Sequence, residues 1–338
     1  MNSPRTTVIV TQRERFTRYE SSLASVYDTN QKFDLIYVDM KSPLSIKQEL
    51  EREAAARGFR IIRLDQIVGQ NRARNLALRH TNTEYVAFVD NDVILSSGWL
   101  DHLIECADAT GAALVGPLCF EGPADRGIVH VSGGDCHIEL TEKGNYLAQS
   151  HLNARDHISD IAPGDLHRKP TELLEFHCLL VRRSLFDQVG KLDETLPTVA
   201  DHDDLCILAG LAGEKAYVEP AAAARYEYTV PLCWRDMFYF FLRWCSNWTH
   251  SSVRCFSQKY HLANDDPWRR SITKWTIKHH RDLPLPPMGN RLITAIVRTA
   301  FKFAANLSSY FPPDKVNVTL YPPVKQRERE RAAASASR

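Results

Sequence analysis

Four short apolar runs alternate with segments of helical spacing over the first ninety residues, and this alternation restricts the fold more than any other feature. The runs are TTVIVTQ (6–12), FDLIYVDM (33–40), FRIIRL (59–64) and EYVAFVD (84–90). They are rich in β-branched and aromatic residues and read as strands. Between the first two, Phe16, Tyr19, Leu23 and Val26 recur at helical spacing. Residues 42–58 read as a second helix, with Ser42 as N-cap, Pro43 at the first helical position and Gly58 just past the end. Residues 69–81 read as a third. Strands joined through helices imply right-handed crossovers and a mostly parallel sheet. Ligands of such sheets bind outside the carboxyl ends of the strands. Asp39, Asp65 and Asp90 stand at or just past those ends, so all three are expected to face one crevice.

The fourth run closes on Asp90-Asn91-Asp92 before apolar residues resume. A buried carboxylate without a partner loses several kcal/mol of hydration or takes up a proton. Two of them also repel each other. A divalent cation is the simplest group that answers both costs.

The rest of the chain is less regular. Residues 99–110 read as a helix and 113–120 as a strand. Residues 121–170, rich in Gly, His and Asp, read as a long irregular excursion of the kind that often contacts substrate. Residues 175–190 read as a strand, a turn and a short helix, and 191–220 as a loop, a helix from about 203 and a strand. After Tyr228 the chain turns aromatic and helical. We expect one domain over 1–228, a helical extension over 229–324 and a disordered tail over 325–338, which is low in apolar residues. Trp234, Trp244 and Trp248 are expected in a helical core, with stacking on a sugar as the alternative. For the basic amphipathic stretch 291–307, packing on the first domain competes with peripheral contact at a membrane.

The eight cysteines form no CxxC pair and sit mostly among apolar neighbours, which reads as reduced core thiols. Lys plus Arg number 42 and Asp plus Glu 41, a balance that argues against nucleic acid as a partner. No signal-peptide pattern opens the chain and no run of 18 apolar residues occurs. The expected location is cytoplasmic, with peripheral contact at the inner membrane as the variant.

Four pieces together resemble a known family: VIVTQRERF, LIYVDMKSP, GQNRARNLALRHTNTEYVAFVDND, and FHCLLVRRSLFDQVGKLDE followed by ADHDDLCILAGLAG. In the third, Gly69, Ala73, Arg74 and Asn75 precede Asp90 and Asp92 in the family's order. The chain is similar to family 2 glycosyltransferases, with the resemblance covering residues 6–228. The resemblance implies the GT-A fold: α/β, a mostly parallel Rossmann-like sheet flanked by helices, here with a C-terminal helical extension. It implies a nucleotide-sugar donor, most simply a UDP-sugar, with Mn²⁺ or Mg²⁺ neutralising the departing diphosphate. Asp92 is the expected metal ligand. Asp90 is expected at the metal or the ribose. Asp39 and Asp65 are expected at the nucleoside, Arg72 or Arg74 at the diphosphate with Asn75 beside them, and Thr11 and Arg13 at the base. The acceptor is a hydroxyl on a glycan, a lipid-linked molecule or a protein.

Two departures from the family pattern stand out. The base of an inverting transfer belongs in a Glu-Asp-x-Asp-Leu segment, and here the matching residues are Asp201-His202-Asp203-Asp204-Leu205. Asp201, ahead of His202, is therefore the candidate base, with Asp203 or Asp204 as the further ones. The His that often completes the metal shell is missing as well, and Glu227 stands near its place. Both departures leave open a GT-A-like protein that binds glycan or nucleotide without turnover. A haloacid-dehalogenase-type phosphohydrolase is disfavoured because its acid pair follows the first strand. A nucleotidyltransferase is disfavoured because TQRERFTR lacks glycine.

Overall fold

The structure is a computed structural model that describes residues 3–227, 230–282, 291–310 and 316–321. The first strands and helices follow the expected alternation: β1 (Thr6–Thr11), α1 (Tyr19–Val26), β2 (Phe33–Met40), α2 (Leu44–Arg57), β3 (Arg60–Leu64), α3 (Gln70–Leu78), β4 (Tyr85–Asp90), β5 (Val93–Leu95) and α4 (Trp99–Thr110). Then come β6 (Leu114–Glu121), β7 (Ile128–Val131), β8 (Cys136–Thr141), β9 (Gly144–Gln149), β10 (Lys169–Pro170), β11 (Cys178–Arg182), α5 (Leu185–Val189), α6 (Asp201–Leu211) and β12 (Ala216–Tyr226). The C-terminal part contributes α7 (Met237–Arg243), α8 (Ser246–Lys259), α9 (Pro267–Asp282), α10 (Arg291–Ser309) and β13 (Val318–Tyr321).

Among the described residues one large sheet runs in the order β10-β12-β6-β11-β4-β1-β2-β3-β13, with β5 on β12 and β7 on β6. The run β3-β2-β1-β4 is parallel throughout, as is β6 with β12. Antiparallel β11 joins the two blocks by pairing with both β4 and β6. Every residue of β1 and of β4 is buried, as helices on both faces of a parallel sheet require. Their carboxyl ends are level, with Thr11 opposite Asp90.

Three local expectations change. Helix α2 starts at Leu44, and Pro43 is its N-cap residue without a side-chain bond. Ser42 instead accepts a bond from Arg63 at 3.3 Å, so its hydroxyl serves the neighbouring strand. Gly58 does end the helix as expected, at φ 80 with its N–H on Ala54 O. The excursion 121–170 is more regular than read, because β7 extends the large sheet and β8 and β9 form a hairpin. In α10 Ala305 and Ser309 are buried and Phe301 is half-buried, whereas Ile296, Phe303 and Leu307 are exposed. Much of the apolar surface of the amphipathic stretch 291–307 is therefore not its packing face. Trp244 is buried, Trp248 half-buried and Trp234 exposed.

Helices α7 to α9 share the core of the sheet, to which Met237, Tyr239, Phe240, Phe241, Phe256 and Trp268 all contribute. The eight cysteines are free thiols, six of them buried. Among the described residues no helix is long and apolar enough to cross a membrane. The expected tail 325–338 and the boundary at Tyr228 lie outside the described residues.

Candidate active site

Asp90 is the last residue of β4, and Asp92 follows one turn residue later. Both are buried. Between them Asn91 fixes the loop after β1: its Oδ1 accepts from Arg13 N at 3.1 Å and its Nδ2 donates to Arg15 O at 3.0 Å. This loop brings two cations to the acids. Arg13 Nε lies 3.4 Å from Asp90, and Arg15 Nε lies 3.7 Å from Asp92.

Arg74 connects this end of the site to the second candidate motif. From α3 its Nη1 donates to Asp201 at 2.7 Å, and its Nη2 lies 3.4 Å from Asp90. Its guanidinium also stacks on the Phe176 ring at 3.8 Å. One buried side chain thus spans the acid pair and the start of α6. Asp201 itself follows Ala200, a non-glycine residue in the left-handed region at φ 66. Burial opposes the charge of Asp201, but the His202 ring and the Arg74 guanidinium hold its carboxyl well below the usual range. His202 is raised to about 10, because the Asp203 and Asp201 carboxylates outweigh the burial of its ring.

Asp92 differs from its neighbours. Neither of its oxygens has a hydrogen-bond partner, although both are buried. Burial and the charge of Glu14 push its pKa up to about 6. Across the site several guanidinium atoms are also buried without hydrogen-bond partners: Arg13 Nη1, Arg15 Nε and Nη2, and Arg243 Nε and Nη1. Orphaned buried groups of both signs are uncommon in native proteins and mark places built for a ligand. A carboxylate with free lone pairs beside free guanidinium donors suits a divalent cation and a diphosphate together.

The family match decides the class to which this geometry belongs. The model described as "Glycosyl transferase family 2" matches residues 7–189, more than half of the chain. This chain belongs to glycosyl transferase family 2. The solved structures to which this chain is similar include GalNAc-T7 with UDP, GalNAc and Mn²⁺ (TM-score 0.52, 14% identity, 85% of this chain and 59% of that one). They also include the mannosyltransferase PcManGT from Pyrobaculum calidifontis in complex with GDP-Man and Mn²⁺ (TM-score 0.53, 15% identity, 92% and 88%). At these identities they establish the GT-A fold. A curated relative, the uncharacterized protein y4gI of Sinorhizobium fredii (strain NBRC 101917 / NGR234), is 26% identical over 222 residues. That match covers 62% of this chain but only 23% of the relative, so the chain spans about a quarter of the protein it matches.

The other candidate residues fall into two groups. Thr11 is buried beside the acid pair, and its carbonyl accepts from Asn91 N at 3.0 Å. Asp39 is buried at the end of β2, held by Arg63 and by Ser42 N at 2.9 Å, and Gln12 Nε2 reaches it at 3.3 Å. The remaining candidates are engaged elsewhere. Asp65 is exposed and accepts from Asn317 Nδ2 at 2.6 Å, at the edge formed with β13. Asn75 clamps the loop before α6 through Leu192 O at 2.8 Å and Glu194 at 2.9 Å. Arg72 is half-buried and makes no ion pair among the described residues. Asp204 is tied to Lys259 and Tyr260 at 2.7 Å each. Glu227 pairs with Arg18 and, at 3.3 Å, with Arg225.

Several residues of the site were not read from the sequence. Glu14 is fully buried and accepts from Tyr226 and from Trp244, at 2.7 and 2.8 Å. Asp236 takes Phe16 N at 2.7 Å and Thr17 N at 3.1 Å, so α7 holds the loop after β1 in place. His177 lies 3.3 Å from Asp90 and stacks on Tyr226 at 4.6 Å. Glu175 and His177 alternate just before a strand, which places them on one side. That spacing was the available signal.

Proposed function

We propose that this chain transfers a sugar from a nucleotide-diphosphate donor to a hydroxyl acceptor with inversion at the anomeric carbon. A UDP-sugar is the donor we favour. The observation that carries the reading is the bridge made by Arg74 between Asp90 and Asp201, beside an Asp92 whose oxygens have no partner. Two motifs separated by more than a hundred residues thereby share one buried centre. GalNAc-T7 and PcManGT, with the same fold, hold UDP and GDP-Man with Mn²⁺.

Asp92 and Asp90 would hold Mn²⁺ or Mg²⁺, which supplies Lewis-acid stabilisation of the diphosphate leaving group. Arg13, Arg15 and Arg243 offer buried donors to the diphosphate oxygens. Asp201 takes the proton from the acceptor hydroxyl in our assignment. His202, already charged, orients Asp201 rather than acting as the base. Asp204 is engaged by Lys259 and Tyr260 and serves the attachment of α6 to α8.

Incubation with a panel of nucleotide sugars and Mn²⁺, followed by NMR of the anomeric proton, tests the proposal. Release of the nucleoside diphosphate with an inverted product is expected. Asp201→Asn should lower kcat by about 10²-fold or more, in the range of general-base losses. His202→Ala should retain a larger fraction. Turnover lost in His202→Ala and kept in Asp201→Asn would reverse the assignment.

A further inference from the structure

Beyond the acid pair, four imidazoles converge on one carboxylate. Glu175 and His177 precede β11, His130 lies on β7, His151 follows β9, and His202 is in the first turn of α6. Glu175 Oε2 is 3.1 Å from Nε2 of His130 and 3.1 Å from Nε2 of His177. Its Oε1 is 3.2 Å from Nε2 of His151. His130, Glu175 and His177 place a donor atom each within 4.8 Å of one another, as do His151, Glu175 and His202.

Two further observations separate this cluster from an ordinary polar network. His177 is only 2% exposed, yet neither of its nitrogens has a hydrogen-bond partner. A buried ring left this way is costly unless something else takes its lone pair. The far nitrogens also face carboxylates: His130 Nδ1 is 3.1 Å from Glu121, and His177 Nδ1 is 3.3 Å from Asp90. A carboxylate behind the ring is the usual support of a metal-bound histidine, because it fixes the tautomer and orients the lone pair.

We propose that Glu175, with Nε2 of His130 and His177, forms a binding site for a zinc-type dication, distinct from the oxygen-only site at Asp90 and Asp92. Two imidazoles and one carboxylate with an open fourth position suit zinc, whereas oxygen ligands alone suit Mg²⁺ or Mn²⁺. Bonds of about 2.0–2.1 Å in a tetrahedron put ligand atoms about 3.3 Å apart, close to the 3.1 Å from Glu175 Oε2 to each ring. A cation on Nε2 of His177 leaves the ring proton on Nδ1, where it donates to Asp90. The site would in this way set the orientation of one acid of the pair. Zinc occupancy needs no nucleotide, so the proposal stands or falls separately from the transferase reading.

The test strips the full chain with chelator, titrates it with Zn²⁺ against a competing dye, and records the Co²⁺ absorption spectrum. We expect one equivalent of Zn²⁺ bound in competition with the dye and an intense visible Co²⁺ band of four-coordinate geometry. His130→Ala and His177→Ala should each weaken Zn²⁺ at least about tenfold, and Asp92→Asn should keep it. Circular dichroism melts of each variant establish that the fold is intact. His130 is partly exposed, so its variant remains informative should His177→Ala unfold. No Zn²⁺ uptake by the stripped wild type, or equal uptake by a folded His130→Ala protein, would overturn the proposal.

Discussion

At the scale of single residues, Asp92 and Arg74 make opposite predictions for stability. Asp92 is a buried charge whose oxygens accept no hydrogen bond. Its replacement in Asp92→Asn is expected to keep or raise the unfolding free energy of the metal-free protein, by up to about 1–3 kcal/mol, while removing response to Mn²⁺. Arg74 is the reverse case, because Asp201 and Asp90 both depend on it. Arg74→Met should cost about 3–5 kcal/mol in urea unfolding, since it leaves two buried carboxylates short of a cation. Arg74→Lys should recover only part, as an ammonium cannot fork between two partners.

At the scale of elements, Gly69 shows why α3 starts where it does. A Cβ at this position would meet the Pro197 Cα at 2.8 Å, so the loop ahead of α6 packs directly on the backbone of Gly69. Gly69→Ala is expected to destabilise by about 1–3 kcal/mol and to lower activity through α6, which differential scanning calorimetry and turnover together would show. The alternation of β1 to β4 with helices was legible because β1 and β4 are buried on both faces and β2 and β3 are largely so, which fills all four with β-branched and other apolar residues. Asp90 and Asp92 were legible for the converse reason, as acids that end such a run. The residues missed depend on contacts that spacing does not encode. Glu14 looks like one charge among many in TQRERFTR, and only Tyr226 and Trp244, more than two hundred residues on, bury it. Asp65 was misleading in the same way: its strand end is covered by β13, so its carboxylate meets Asn317 instead of the crevice.

At the scale of the molecule, the C-terminal helices help to build the candidate site. Asp236 holds the loop after β1, Tyr239 donates to Gln12 O at 2.5 Å, and Trp244 reaches Glu14. A chain ending at Glu227 would expose the apolar partners of Met237, Phe240, Phe241 and Phe256 and leave Glu14 buried without Trp244. We expect it to aggregate or bind hydrophobic dye strongly, and a soluble, two-state truncated protein would contradict the shared core. The central claim remains that the acids closing β4 hold a cation for a nucleotide diphosphate. Thermal melts of the full chain with UDP, in Mn²⁺ and in chelator, test it most directly. Saturation at a hundredfold over Kd stabilises a protein by about 2.7 kcal/mol, so UDP should raise the Tm measurably in Mn²⁺, little in chelator and not at all in Asp92→Asn. An equal rise in all three would show that nucleotide binds without the cation and that Asp92 has another purpose.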